Sequence, residues 1–187
     1  MEASVCRHIH VLGAPGAGVT TLGKALAKRL GLSHFDTDDY YWFTDDDLPY
    51  RRKRNSEHRL RLLRPDLESA ANWVLSGSLC GWGDSLADQF DLVVYLWAPV
   101  ALRHARIRQR EEARYGADRL SPPDGDLNKV YEKFQTWAAG YDSAEGNIRS
   151  RAAELNWLEQ FSCPVIRIEE DMPVDAMVSR VIALKGS

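Results

Sequence analysis

Nine residues near the start of the chain have the makings of an anion cradle: Gly13-Ala14-Pro15-Gly16-Ala17-Gly18-Val19-Thr20-Thr21. They follow an apolar run, His8-Ile9-His10-Val11-Leu12, that reads as a buried strand. They open a segment, 21–30, that reads as a helix. Glycines in that setting let backbone N–H groups turn inward around an anion, and the helix N-terminus adds partial positive charge at the same place. Gly13, Gly18 and Thr20 fit the spacing G-x-x-x-x-G-K-[ST], in which the hydroxyl ligates Mg²⁺ and the lysine reaches the terminal phosphates. The lysine position holds Val19. Lys24 is no substitute, because it lies about 7.5 Å farther along the helix and about 140° around it. The expected ligand is a nucleotide phosphate. Its usual side-chain cation must come from elsewhere in space, or be dispensed with in favour of Mg²⁺ and the loop amides.

A second group of chemical residues follows a short strand, Ser33-His34-Phe35. Asp36, Asp38 and Asp39 fall at its carboxyl end, the edge where open α/β sheets bind ligands. Continued strand geometry would point Asp36 and Asp38 the same way. One carboxylate there can help to hold Mg²⁺, and another can accept a proton from, or orient, a substrate hydroxyl. The plainer use of the same residues is a solvated turn that caps the next helix. Asp45-Asp46-Asp47 lacks that placement and reads as solvated loop.

Basic residues supply a third group. Arg103, Arg106, Arg110 and Arg114 share one helical face, with Arg108 off it. The next stretch, 115–126, carries two prolines and two glycines and reads as a mobile loop. Together they suggest a lid over about 103–126 whose arginines, Arg106 and Arg110 above all, meet the charge that builds up in phosphoryl transfer. One of them is a candidate for the charge missing at position 19. The alternative is a solvated face paired with Glu111 and Glu112. Arg51-Arg52-Lys53-Arg54, followed by Arg59, Arg61 and Arg64, offers cations for an anionic acceptor, with Arg54 the chosen residue, or a plain solvated surface. Tyr40, Tyr41, Trp42 and Trp82 can stack on a planar ring or pack under a loop. Trp73, Trp97, Trp137 and Trp157 are expected in the core. His8 and His10 are expected to be buried and satisfied, and His34, His58 and His104 have no metal-ligand spacing.

Elements that could position these groups alternate along the chain, which argues for an α/β fold on a parallel sheet. Strands are expected at about 7–12, 33–35, 73–75, 92–97 and 164–168. Helices are expected at about 19–30, 56–71, 100–114 and 174–184, with two more within 127–160, and a polar loop at 43–54. At 187 residues, 44% hydrophobic and 27% charged, the chain suits one soluble domain. A net charge of −3 gives no general reason to expect nucleic-acid binding. No apolar run approaches a membrane span. Three dispersed cysteines and an N-terminus without the form of a signal peptide point to a reducing, cytoplasmic setting.

With these pieces assembled, the chain resembles the small P-loop kinases. These include adenylate kinase and other nucleoside monophosphate kinases, shikimate kinase and gluconate kinase. It looks closest to bacterial proteins labelled adenylate kinase-like or topology-modulation-like. The resemblance rests on 13–21, on His34-Phe35-Asp36-Thr37-Asp38-Asp39-Tyr40-Tyr41-Trp42, on Trp73-Val74-Leu75-Ser76-Gly77-Ser78 and on the arginine-rich helix. It implies a P-loop NTPase fold, a five-stranded parallel sheet of order 2-3-1-4-5 flanked by helices. An acceptor-covering segment would lie at about 40–70. It implies that Gly13–Thr21 hold the β-phosphate of ATP, with Thr20 on Mg²⁺. Asp36 would assist the metal, Asp38 would orient the acceptor hydroxyl, and Gly77 would line the acceptor pocket. Residues 169–173 would edge the adenine. Monophosphate kinases carry Asp-Gly where this chain has Ser76-Gly77. The implied activity is transfer of the γ-phosphate of ATP to a nucleoside monophosphate or a hydroxyl compound. Two alternatives stand beside it: a nucleotide-binding regulator without turnover, which Val19 supports, and a nucleotide hydrolase that uses water as acceptor.

Overall fold

A computed structural model describes residues 7–45, 48–121, 125–144 and 149–185. Five parallel strands form one sheet: β1 (His8–Gly13), β2 (Ser33–Asp36), β3 (Trp73–Ser76), β4 (Leu92–Leu96) and β5 (Val165–Ile168), in the order β2-β3-β1-β4-β5. The expected order therefore holds. The helices are α1 (Val19–Leu30), α2 (Thr37–Tyr41), α3 (Ser56–Ser69), α4 (Val100–Tyr115), α5 (Ala117–Leu120), α6 (Asp126–Gly140), α7 (Arg151–Leu158) and α8 (Val174–Lys185). A 3-10 helix spans Asp84–Gln89.

The central strand reads as a continuous apolar run because both its faces are covered. Ile9 and Val11 enter a core with Leu22 and Leu26 of α1 and Val178 and Val181 of α8. Leu12 enters the other core, with Leu63 and Leu67 of α3 and Trp157 and Leu158 of α7. His10 faces that second core, stacked on Phe90 at 4.9 Å and edge-on to Trp157 at 5.7 Å. After β1 the chain crosses to β2 and β3 on one side, then to β4 and β5 on the other. The loop that leaves β1 thus sits at the point where strand order reverses, the natural crevice of such a sheet.

Three details depart from the sequence reading. Strand geometry does not continue past Asp36: the Asp36 carboxylate accepts the Asp38 N–H at 3.1 Å and starts α2 there, which is how an Asx N-cap ends a strand. Residues 115–126, read as one mobile loop, contain α5, whose Leu120 is buried; Pro122, Pro123 and Asp124 lie outside the described residues. Trp97 and Trp137, expected in the core, are half-buried. Asp46 and Asp47 also lie outside the described residues. No helix among the described residues is long and apolar enough to cross a membrane.

Candidate phosphate-transfer site

The loop between β1 and α1 has the shape its glycines allow. Gly18 is the N-cap of α1 at φ 102°, a conformation that L side chains rarely adopt, and no side chain caps the helix. The first N–H groups of α1 therefore face an anion site without a protein competitor from a capping side chain. The loop rests on Arg103, which is fully buried. Its guanidinium donates to the carbonyls of Ala98 (2.8 Å), Pro15 (3.3 Å) and Ala138 (3.2 Å), and it pairs with Asp142. Arg103 was read as part of an exposed lid face; instead it is the floor beneath the loop. Val19 packs against the core that α1 and α8 share.

Beside the loop, the Thr20 hydroxyl donates to Asp36 Oδ2 at 2.8 Å. Asp36 Oδ1 takes the Asp38 N–H, so one carboxylate joins the phosphate loop, the end of β2 and the start of α2. Thr20 and Asp36 form a hard-oxygen pair of the kind Mg²⁺ accepts while keeping most of its waters. Among the described residues, no cluster of three or more His, Cys, Asp or Glu side chains could cage an ion. Asp38 opens to solvent, but the surrounding protein partly desolvates its carboxyl. Desolvation and the neighbouring Asp36 charge raise its pKa, and Arg149 and Arg110 pull it back down. Asp39 is raised for the same two leading reasons.

The arginines separate. Arg106 donates to Asp171 at 2.7 Å, in the stretch after β5. Arg110 pairs with the buried Glu111 and lies 5.8 Å from the Phe134 ring. Arg114 donates to the Tyr50 hydroxyl at 3.0 Å. Arg54 donates to the carbonyls of Asp39 (3.2 Å), Tyr40 (3.0 Å) and Trp42, so its guanidinium closes the C-terminal end of α2. Besides Arg103, a second arginine reaches the loop, and it is one the sequence did not single out. Arg149, just ahead of α7, donates from Nη2 to the Gly13 carbonyl at 2.8 Å and from Nε to Glu154 at 2.8 Å. It belonged to no glycine pattern and to no arginine-rich helical face.

Around the mouth of this region runs a chain of rings. Trp82 meets Tyr41, Tyr41 meets Trp42, and Trp42 meets Tyr50 at centroid distances of 6.4, 4.8 and 5.7 Å. Tyr50 then stacks on Phe134 at 6.2 Å, and Phe134 tilts against Trp137 at 5.5 Å. Tyr50 is the one described non-glycine residue with positive φ, at 59°. Arg59 of α3 is buried, with its guanidinium 3.5 Å above the Tyr41 ring and its Nε without a partner. Gly77 ends β3 at φ 103°, where a Cβ would stand 1.9 Å from Thr37 Oγ1, so only glycine lets α2 settle onto that strand.

A family model described as an AAA domain matches residues 9–123. A protein from Bacillus subtilis, named only as uncharacterized protein YqaC, is 45% identical over 94% of this chain and 96% of its own. A cytidylate kinase from Archaeoglobus fulgidus is 30% identical over 69% of this chain and 74% of its own. The chain belongs to the P-loop small-molecule kinase family. A crystal structure of shikimate kinase from Bacteroides thetaiotaomicron overlays on it with a TM-score of 0.57, covering 96% of this chain and 98% of that one, at 18% identity. That likeness shows that the P-loop kinase fold is shared.

Proposed function

We propose that this P-loop kinase family member transfers the γ-phosphate of ATP to an oxygen of a small acceptor that carries a planar ring. The observation that supports it best is the Asp36 carboxylate, which takes the Thr20 hydroxyl on one oxygen and the Asp38 backbone N–H on the other, so that Asp38 starts its helix beside the loop. Loop amides from Gly13 to Thr21 would hold the β- and γ-phosphates. Thr20 and Asp36 would hold Mg²⁺, which supplies charge neutralisation between those phosphates when bound. Asp38 would receive the acceptor's proton as the acceptor oxygen bonds to phosphorus and the bond to the ADP oxygen breaks. A carboxylate with a raised pKa suits that work, because it holds a proton better than an ordinary surface aspartate. Arg110, next to Asp38 electrostatically, would meet the charge on the moving phosphoryl group. The ring chain from Trp82 to Trp137, with Arg59 beneath it, supports an aromatic acceptor bearing negative charge.

The test is product analysis with ATP, Mg²⁺ and a panel containing nucleoside monophosphates, shikimate and gluconate. A phosphorylated nucleoside monophosphate with matching ADP supports the reading, whereas phosphorylation of shikimate or gluconate would keep the transfer and refute the planar ring. Free phosphate formed without any acceptor would replace it with a hydrolase. Val19 favours a second reading, a binding protein without turnover; micromolar ATP binding with no product from any acceptor is its signature.

A further inference from the structure

We propose that Arg149 supplies the phosphate-binding cation that Val19 does not, delivering it from the far end of the chain to the mouth of the loop. The inference rests on the ATP-binding reading above. Position 19 carries no charge, its valine lying partly buried at the margin of the α1–α8 core. Of the helix-α4 arginines, Arg103 lies under the loop, Arg106 pairs with Asp171, Arg110 with Glu111 and Arg114 with Tyr50. Arg149 alone among the described arginines bonds to the first glycine of the loop, through Nη2 to the Gly13 carbonyl.

Its position is built. Nε is held by Glu154, which is fully buried. The other oxygen of Glu154 accepts the Tyr141 hydroxyl at 2.6 Å, and Tyr141 shares a hydrogen bond with Tyr95 of β4 at 3.1 Å. This chain ties the guanidinium to the strand next to β1. The Trp137 ring lies 5.6 Å from the guanidinium carbon. Burial opposes the arginine's charge, but Glu154 outweighs it and keeps the group fully protonated. Two N–H groups are engaged by Gly13 and Glu154, and the rest of the fork is left to grip phosphate oxygens. Arg149 bonds to the loop and also pulls the Asp38 pKa down, so its charge is felt both at Gly13 and at the proposed proton acceptor. A lysine on α1 would bring this charge as part of the loop. Here it depends on α6 and α7 being folded against β4.

The test is calorimetric titration of ATP and of inorganic tripolyphosphate, each with Mg²⁺. Arg149→Gln alone would strand the buried Glu154 charge, so Arg149→Gln is combined with Glu154→Gln, and thermal melting confirms the fold. Losing a charge-assisted hydrogen bond of this kind weakens binding by about 10- to 100-fold. Adding Val19→Lys to the double variant should bring both ligands back to within about threefold of wild type, because charge returns to the same place. A folded double variant that binds ATP as tightly as wild type overturns the assignment of Arg149. So does a double variant that weakens but is not rescued by Val19→Lys. Wild type that binds no ATP at all overturns the kinase reading itself.

Discussion

Lowering the pH from about 7.5 to about 5 should weaken this fold by about 2 kcal/mol through one residue, His10. Its ring lies inside the second core with Nδ1 on the Leu75 carbonyl at 3.1 Å and Nε2 without a partner. Burial lowers its pKa from 6.5 to about 4, opposed in part by the Leu75 hydrogen bond. Between those values the unfolded chain binds a proton that the folded one refuses. Stability is therefore complete above the unfolded pKa, falls as pH drops through that window, and levels off below about 4, where the whole difference amounts to about 3 kcal/mol. Carboxylates titrate too, so the measurement is a difference: urea denaturation of wild type and His10→Phe at both pH values. Phe removes the titration and suits a slot lined by Phe90 and Trp157. The gap between the two proteins should shift by about 2 kcal/mol in favour of the variant at the lower pH. Parallel pH dependence of the two stabilities would refute the claim that His10 is held neutral.

Arg103→Met should cost about 3 kcal/mol in urea denaturation, because it leaves three carbonyls and Asp142 without their shared donor, and ATP affinity should fall with it. Gly77→Ala should lower stability by about 1–3 kcal/mol, since its Cβ collides with Thr37 Oγ1 at a φ of 103°; an unchanged melting temperature would contradict that packing. Asp38→Asn should cut kcat by about 10²- to 10⁴-fold while leaving stability equal or slightly higher, because the charged carboxylate is disfavoured in the folded state. With wild type, the acid limb of kcat/KM should lie above the ordinary aspartate range, for the same reason.

Wherever a signal is local, it could be read along the chain. Gly13, Gly16 and Gly18 mark the loop because the required backbone conformations belong to single residues. The apolar runs at 8–12 and 92–96 announce buried parallel strands because each is covered on both faces. Sheet order came from resemblance, since no single residue encodes which strand lies beside which. The Thr20–Asp36 pairing was half legible: both residues were singled out, but their 2.8 Å hydrogen bond needs β2 to end beside α1. The arginines were not legible. Arg103, Arg106, Arg110 and Arg114 share a helical spacing, yet one is wholly buried and the others pair with Asp171, Glu111 and Tyr50. A guanidinium at the end of a long flexible stem takes its role from whatever carbonyl or carboxylate the fold brings within reach, and helical period says nothing about that. For the same reason Arg149 was invisible. The sequence established that a phosphate loop exists and that its lysine is missing. Only the return of α6 and α7 across β4 decided that an arginine 136 residues away would stand at Gly13.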